Sequence, residues 1–103
     1  MLFKNNNNDI YLSSVSVWEI IVKNKLGKLP LPYSADEFIQ QQCQLHFIES
    51  LPLDVRAVYR LGYLPNHHRD PFDRMLVCQA IENGLTILTS DSLIIQYPVS
   101  TIW

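Results

Sequence analysis

The sequence predicts an α/β domain of three layers, a parallel sheet with helices on both faces. Short apolar runs of strand length alternate with longer segments of helical periodicity, and joining neighbouring strands through helices makes them parallel. The helical segments open on Ser or Asp and most close near a glycine. The composition, 48% hydrophobic and 17% charged, supplies a packed core and rules out disorder, and 103 residues make at most one domain, 1–103.

Residues 4–9, Lys4 and four asparagines ending in Asp9, read as a loop because they are polar turn formers. Ile10-Tyr11-Leu12 with Ser13 and Ser14 reads as a short buried strand. A helix follows from Val15 to Leu26, with Gly27 at its end and Lys23, Lys25 and Lys28 in or near the last turn. Ser16 with Glu19 fits a capping box, and Ser13 or Ser14 fits the helix start equally well.

The prolines of Leu29-Pro30-Leu31-Pro32-Tyr33 make an extended linker. Ser34 with Glu37 is a cleaner capping box for a helix reaching Leu45. Residues 47–53 read as the next strand, and Asp54 caps a short helix through Leu61. After the loop Gly62–His68, Asp70-Pro71 opens a helix that Gly84 closes, with proline at its first position. Leu85–Thr89 is a strand, Ser90-Asp91-Ser92 a turn, Leu93–Tyr97 a short helical piece and Val99–Trp103 a final strand.

A net charge of -2 excludes a globally basic nucleic-acid binder, so any such contact must come from a local patch of the eight Lys and Arg. Cys43 and Cys78 stand in no metal-binding or disulfide spacing and read as reduced, largely buried thiols. No apolar run has the length of a membrane span, and Met1–Asn5 is no signal peptide. The expectation is a cytoplasmic protein without membrane contact.

In parallel α/β sheets, ligands gather outside the carboxyl ends of the strands. Glu19 follows one strand by a helical turn, Asp91 sits just past another, and Asp73 joins them if its helix begins at that rim. Unit charges about 4 Å apart repel by roughly 4 kcal/mol at an effective dielectric near 20, so grouped acids call for a cation or a proton. Mg²⁺ or Mn²⁺ accepts a few carboxylates, keeps waters and serves phosphodiester hydrolysis.

Each acid also has a purely structural role available. Asp70 and Asp73 suit a helix N-terminus, Glu19 a capping box and Asp91 an Asx-turn. Trp18 suits packing better than base stacking. Arg69, Arg74 and the three lysines suit phosphate contacts or plain solvation equally, and His67 and His68 suit loop or substrate contacts.

The stretches Ser13–Ile20, His68–Arg74 leading to Gln79-Ala80, and Leu88-Thr89-Ser90-Asp91, with a closing strand ending in Trp103, resemble the PIN domain family. The resemblance is greatest to the VapC-type toxins of toxin–antitoxin pairs and covers the chain from about residue 9. It implies a metal-dependent endoribonuclease that cuts single-stranded RNA and is restrained by a cognate antitoxin. Glu19, Asp73 and Asp91 match the family's catalytic, metal-holding acids, with Mg²⁺ or Mn²⁺ as cofactor. Thr89 and Ser90 match the small polar residues beside the last acid and, with Arg69 and Arg74, are the expected RNA contacts. Asp70 is assigned to capping first.

The family pattern begins with a central hydrophobic strand ending in an aspartate, then a helix, and no such unit precedes Ile10. The expectation is a PIN-like domain truncated at its N-terminus by roughly 30 residues. A sheet without its central strand must rearrange, swap or dimerise, and a homodimer is the expected form. The rival expectation is a catalytically inactive remnant that binds an antitoxin or itself.

Overall fold

The structure, a computed structural model, describes residues 1–67 and 70–103. Among these, β1 (Leu2–Lys4), β2 (Ile10–Ser13), β3 (Ile48–Leu51), β4 (Thr86–Leu88) and β5 (Thr101–Ile102) form one sheet in the order β3-β2-β1-β4-β5. The helices are α1 (Ser14–Lys25), α2 (Ala35–Leu45), α3 (Val55–Arg60), α4 (Pro71–Asn83) and α5 (Ser92–Ile95). A 3₁₀ turn, Leu61–Tyr63, extends α3.

The α/β class is as expected, and the sheet is mixed in one respect. β2 pairs parallel with β3 and β4 parallel with β5, but β1 lies between β2 and β4 and runs antiparallel to both. The central position is filled from within the chain, by a strand that a hairpin folds back. Asn5 builds the hairpin turn: its Oδ1 accepts from the N–H of Asn7 and of Asp9, at 3.0 and 2.9 Å. Asn8 takes the left-handed conformation there (φ 65°), which asparagine tolerates.

Register shows why both faces carry helices. Phe3 pairs with Tyr11 and with Ile87, so these three side chains share a face, and Phe3 and Ile87 join the core with Leu76, Val77 and Ala80 of α4. Leu12 pairs with Ser50 on the opposite face, where α2 lies over them through Ile39 and Cys43.

Caps fix most helix ends where the sequence places them. Asp54 Oδ1 accepts from Ala57 N at 3.0 Å to start α3. Gly84, left-handed at φ 64°, closes α4, with Leu85 N donating to Ala80 O at 2.9 Å. Ser34 precedes α2 as expected, but its side chain makes no capping bond, so the Ser34–Glu37 box does not form. β3 starts at Ile48 because exposed Phe47 sits left-handed (φ 56°) just beyond α2 and cannot extend the strand.

Cys78 is buried and Cys43 half-buried, both free, and burial pushes the Cys78 thiol up, so it stays protonated at neutral pH. No helix among the described residues is long and apolar enough to cross a membrane.

Candidate metal centre

Four parallel strands point their carboxyl ends to one rim, and α4 returns to it because it runs back against the strand it feeds. At 13 residues α4 is about 20 Å long, whereas a four-residue strand spans about 13 Å. Its first turn therefore overhangs the sheet. That turn carries Asp70 and Asp73.

α1 starts at the same rim, and Ser13 decides how. Its Oγ accepts from Val15 N at 3.0 Å, making Ser13 the N-cap and leaving the Ser16–Glu19 box unused. Glu19 is then the sixth residue of α1, beyond the reach of any cap. Ser13 Oγ also donates to Gln79 Oε1 of α4. Gln79 Nε2 donates in turn to Pro52 O, just past β3, at 3.1 Å and more weakly to Leu51 O, the last residue of β3, at 3.4 Å. Ser13 and Gln79 are both fully buried. One glutamine thus ties the ends of β2 and β3 and the start of α1 to the middle of α4.

Farther out, Trp18 packs edge-on against Phe72, with ring centroids 4.7 Å apart. This pair joins α1 to the first turn of α4, and its ring neighbours in sequence are Glu19 on one side and Asp73 on the other. Trp18 remains largely exposed, a surface packing role as expected. The result is a group of three half-buried acids: Glu19, Asp70 and Asp73 each place a carboxylate oxygen within 4.8 Å of the others.

The remaining expected site residues fall as follows. Asp91 caps α5, its Oδ1 accepting from Leu93 N at 2.9 Å, and it stands outside the group of three. The reason is topological: β4 and β2 are separated by β1, two strand spacings or about 10 Å. Thr89 is buried and its Oγ1 accepts from Asp91 N at 3.1 Å, while Ser90 is exposed. Arg74 spends one nitrogen on Pro65 O and Asn66 Oδ1, at 3.1 and 3.0 Å, so it steadies the preceding loop. His67 lies edge-on to Tyr97. His68 and Arg69 lie outside the described residues.

Asp70 does two things. Its Oδ1 accepts from Phe72 N at 2.8 Å and from Asp73 N at 3.4 Å, the cap expected of it, and it also completes the acidic group. Asp70→Asn separates the two roles, because asparagine caps about as well as aspartate. Its thermal unfolding is expected to stay close to that of the parent chain, while Asp70→Ala loses about 1 kcal/mol.

Lys23 Nζ lies 2.7 Å from Glu19 Oε2, one helical turn along α1. The hydrogen bond to Glu19 is the main influence holding the Lys23 ammonium above its ordinary pKa. Desolvation opposes it, and the charges of Glu19, Asp70 and Asp73 reinforce it. Beside this pair, Val22, Lys23, Leu26 and Lys28 of α1 and its C-terminal turn face Asp70, Pro71 and Phe72 across a groove of about 370 Å³. A second hollow of about 420 Å³, lined by Leu12, Val17, Ile39, Cys43 and Ile48, holds the single carboxylate Asp36 and offers no comparable chemistry.

Three hard oxygen donors that converge from two helices are a fitting donor set for Mg²⁺ or Mn²⁺. A family model of the PIN domain matches residues 2–99. The chain belongs to the PIN domain family. The match reaches back to residue 2 and so includes β1. No curated protein and no solved structure gave a match. PIN domains are of nuclease type and typically depend on a divalent metal, in keeping with the acidic group. Ser13 is the helix start that the sequence offered as one choice, but its pairing with Gln79, which builds the site, is the part sequence reasoning missed. A buried serine and glutamine carry no spacing signal until they are seen to face each other.

Proposed function

We propose that this PIN domain is a metal-dependent endoribonuclease of the VapC type, the toxin of a toxin–antitoxin pair, acting on single-stranded RNA. The observation that carries the proposal is the convergence of Glu19, Asp70 and Asp73 within 4.8 Å on a domain of this family. Glu19 and Asp73 are the catalytic acids and metal ligands, with Asp70 as a third oxygen donor. Asp91 is the fourth acid of the site, on the same rim at the start of α5.

Bound there, Mg²⁺ or Mn²⁺ would supply charge neutralisation and an acidified water for phosphodiester hydrolysis. The chain's own residues do the positioning. The Ser13–Gln79 pair sets where α1 begins, the Trp18–Phe72 contact sets how close Glu19 comes to Asp73, and Asp70 holds the first turn of α4. Lys28 on the groove wall, with Ser90 exposed beside Asp91, is suited to RNA phosphates.

The test is cleavage of a single-stranded RNA with added Mn²⁺, comparing the parent chain with Asp73→Asn. Asp73→Asn is expected to lose at least about tenfold in rate, since it removes a ligand charge and leaves the helix start intact. Equal rates in the two chains would rule out the metal mechanism.

A second reading is favoured by β1. Running antiparallel, β1 brings Met1 rather than a carboxylate to the middle of the rim, where Met1 O accepts from Ser16 Oγ at 3.4 Å. On this reading the domain is inactive and binds an antitoxin or a second copy of itself. No Mn²⁺ uptake by calorimetry, together with a stable complex with a small antitoxin or with itself, would select it.

A further inference from the structure

We propose that Lys23 is the resident counter-ion of the acidic group, and that a divalent metal can occupy the group only by displacing the Lys23 ammonium from Glu19. The proposal rests on the metal site put forward above. A Glu–Lys pair four residues apart on an exposed helix is common and ordinarily a minor surface interaction. This one differs in what surrounds it.

The Lys23 side chain is 46% exposed, but its partner carboxylate is only 15% exposed, turned toward the neighbouring helix instead of into water. The ammonium therefore approaches Glu19 at the edge of a space that two further acids share. Those acids are Asp70 and Asp73, which stand at the start of a different helix. Lys23 also lines the groove whose far wall contains Asp70.

Three carboxylates this close repel one another, and a single positive charge at 2.7 Å from one of them relieves much of that repulsion. A divalent ion seeking the same oxygens meets a like charge within a few ångströms. Repulsion of a divalent by a univalent charge at that range, even screened as in water, corresponds to at least about tenfold in affinity. Lys23 swings on a flexible four-carbon stem, so displacement moves the ammonium toward solvent or a phosphate without disturbing the backbone. The acidic group is thus stable without metal and takes it up at reduced affinity.

The test is Mn²⁺ titration calorimetry on the full chain and on Lys23→Gln, Lys23→Arg and Lys25→Gln. Lys23→Gln keeps a good helix former at an exposed site and is expected to bind Mn²⁺ at least about tenfold more tightly than the parent. Lys23→Arg retains the charge and is expected to bind as the parent does. Lys25→Gln makes the same change in net charge, away from the pair, and is expected to move affinity by less than about threefold.

Unchanged or weaker binding in Lys23→Gln, absence of binding in both it and the parent, or equal tightening by Lys25→Gln would each overturn the proposal. RNA cleavage keeps the two ideas separable. Tighter Mn²⁺ binding in Lys23→Gln without cleavage by either chain removes the nuclease reading and leaves the counter-ion in place. Mn²⁺-dependent cleavage by the parent with equal Mn²⁺ affinity in Lys23→Gln does the reverse.

Discussion

Phe3→Ala is expected to cost about 3–5 kcal/mol of stability, the range for emptying a buried phenylalanine site. Phe3 is fully buried at the centre of the sheet, paired with Tyr11 on one side and Ile87 on the other, and packed in the core that α4 covers. A three-residue strand has little else to hold it. Because a domain of this size has only about 5–15 kcal/mol in total, the variant should unfold far earlier in urea and melt far lower. Leu2→Ala, one residue away on a half-buried position, is the comparison and is expected to lose clearly less. A loss below about 1 kcal/mol for Phe3→Ala would mean that β1 does not occupy the middle of the sheet in solution.

The second large effect is expected at Gln79. Replacing it by leucine keeps the volume approximately but strands the fully buried Ser13 hydroxyl, and leaves the carbonyl oxygen of the exposed Pro52 to solvent. One unsatisfied buried polar group costs about 1–3 kcal/mol, and a loss in that range is expected for the substitution. Ser13 also caps α1, and movement at the cap carries Glu19 with it. Gln79→Leu should therefore weaken Mn²⁺ binding, although Gln79 is remote from the acids in sequence and carries no charge. A double-mutant cycle with Ser13→Ala measures the link directly, and a coupling energy near zero would separate the two residues.

Much of the fold was legible because local chemistry fixed it. Asp54 and Asp70 cap their helices, Pro71 suits a first helical position, and Gly84 supplies the left-handed stop, each through bonds between near neighbours in sequence. Such interactions survive any tertiary arrangement, and so the sequence could announce them. The Ser34–Glu37 box shows the limit, since the helix starts on time and the capping bond is absent. β1 was not legible. Three residues before an asparagine run show no alternation, and the run reads as a loop whether or not a strand precedes it. Only pairing on both sides makes Leu2–Lys4 a strand.

The candidate site divides along the same line. The sequence by itself determined which side chains could do the chemistry: carboxylates at the start of one helix, within another and after a strand, with lysines nearby. It also determined that Asp70 is a cap. The tertiary structure decided which of them meet. β1 separates β4 from β2 and sets Asp91 apart, while the buried Gln79 contacts and the Trp18–Phe72 pair draw Glu19 to Asp70 and Asp73. The physical reason is the range of the forces concerned. Capping and helix periodicity act over three or four residues, whereas Ser13 and Gln79 meet across 66 residues of chain, and no local pattern encodes that meeting.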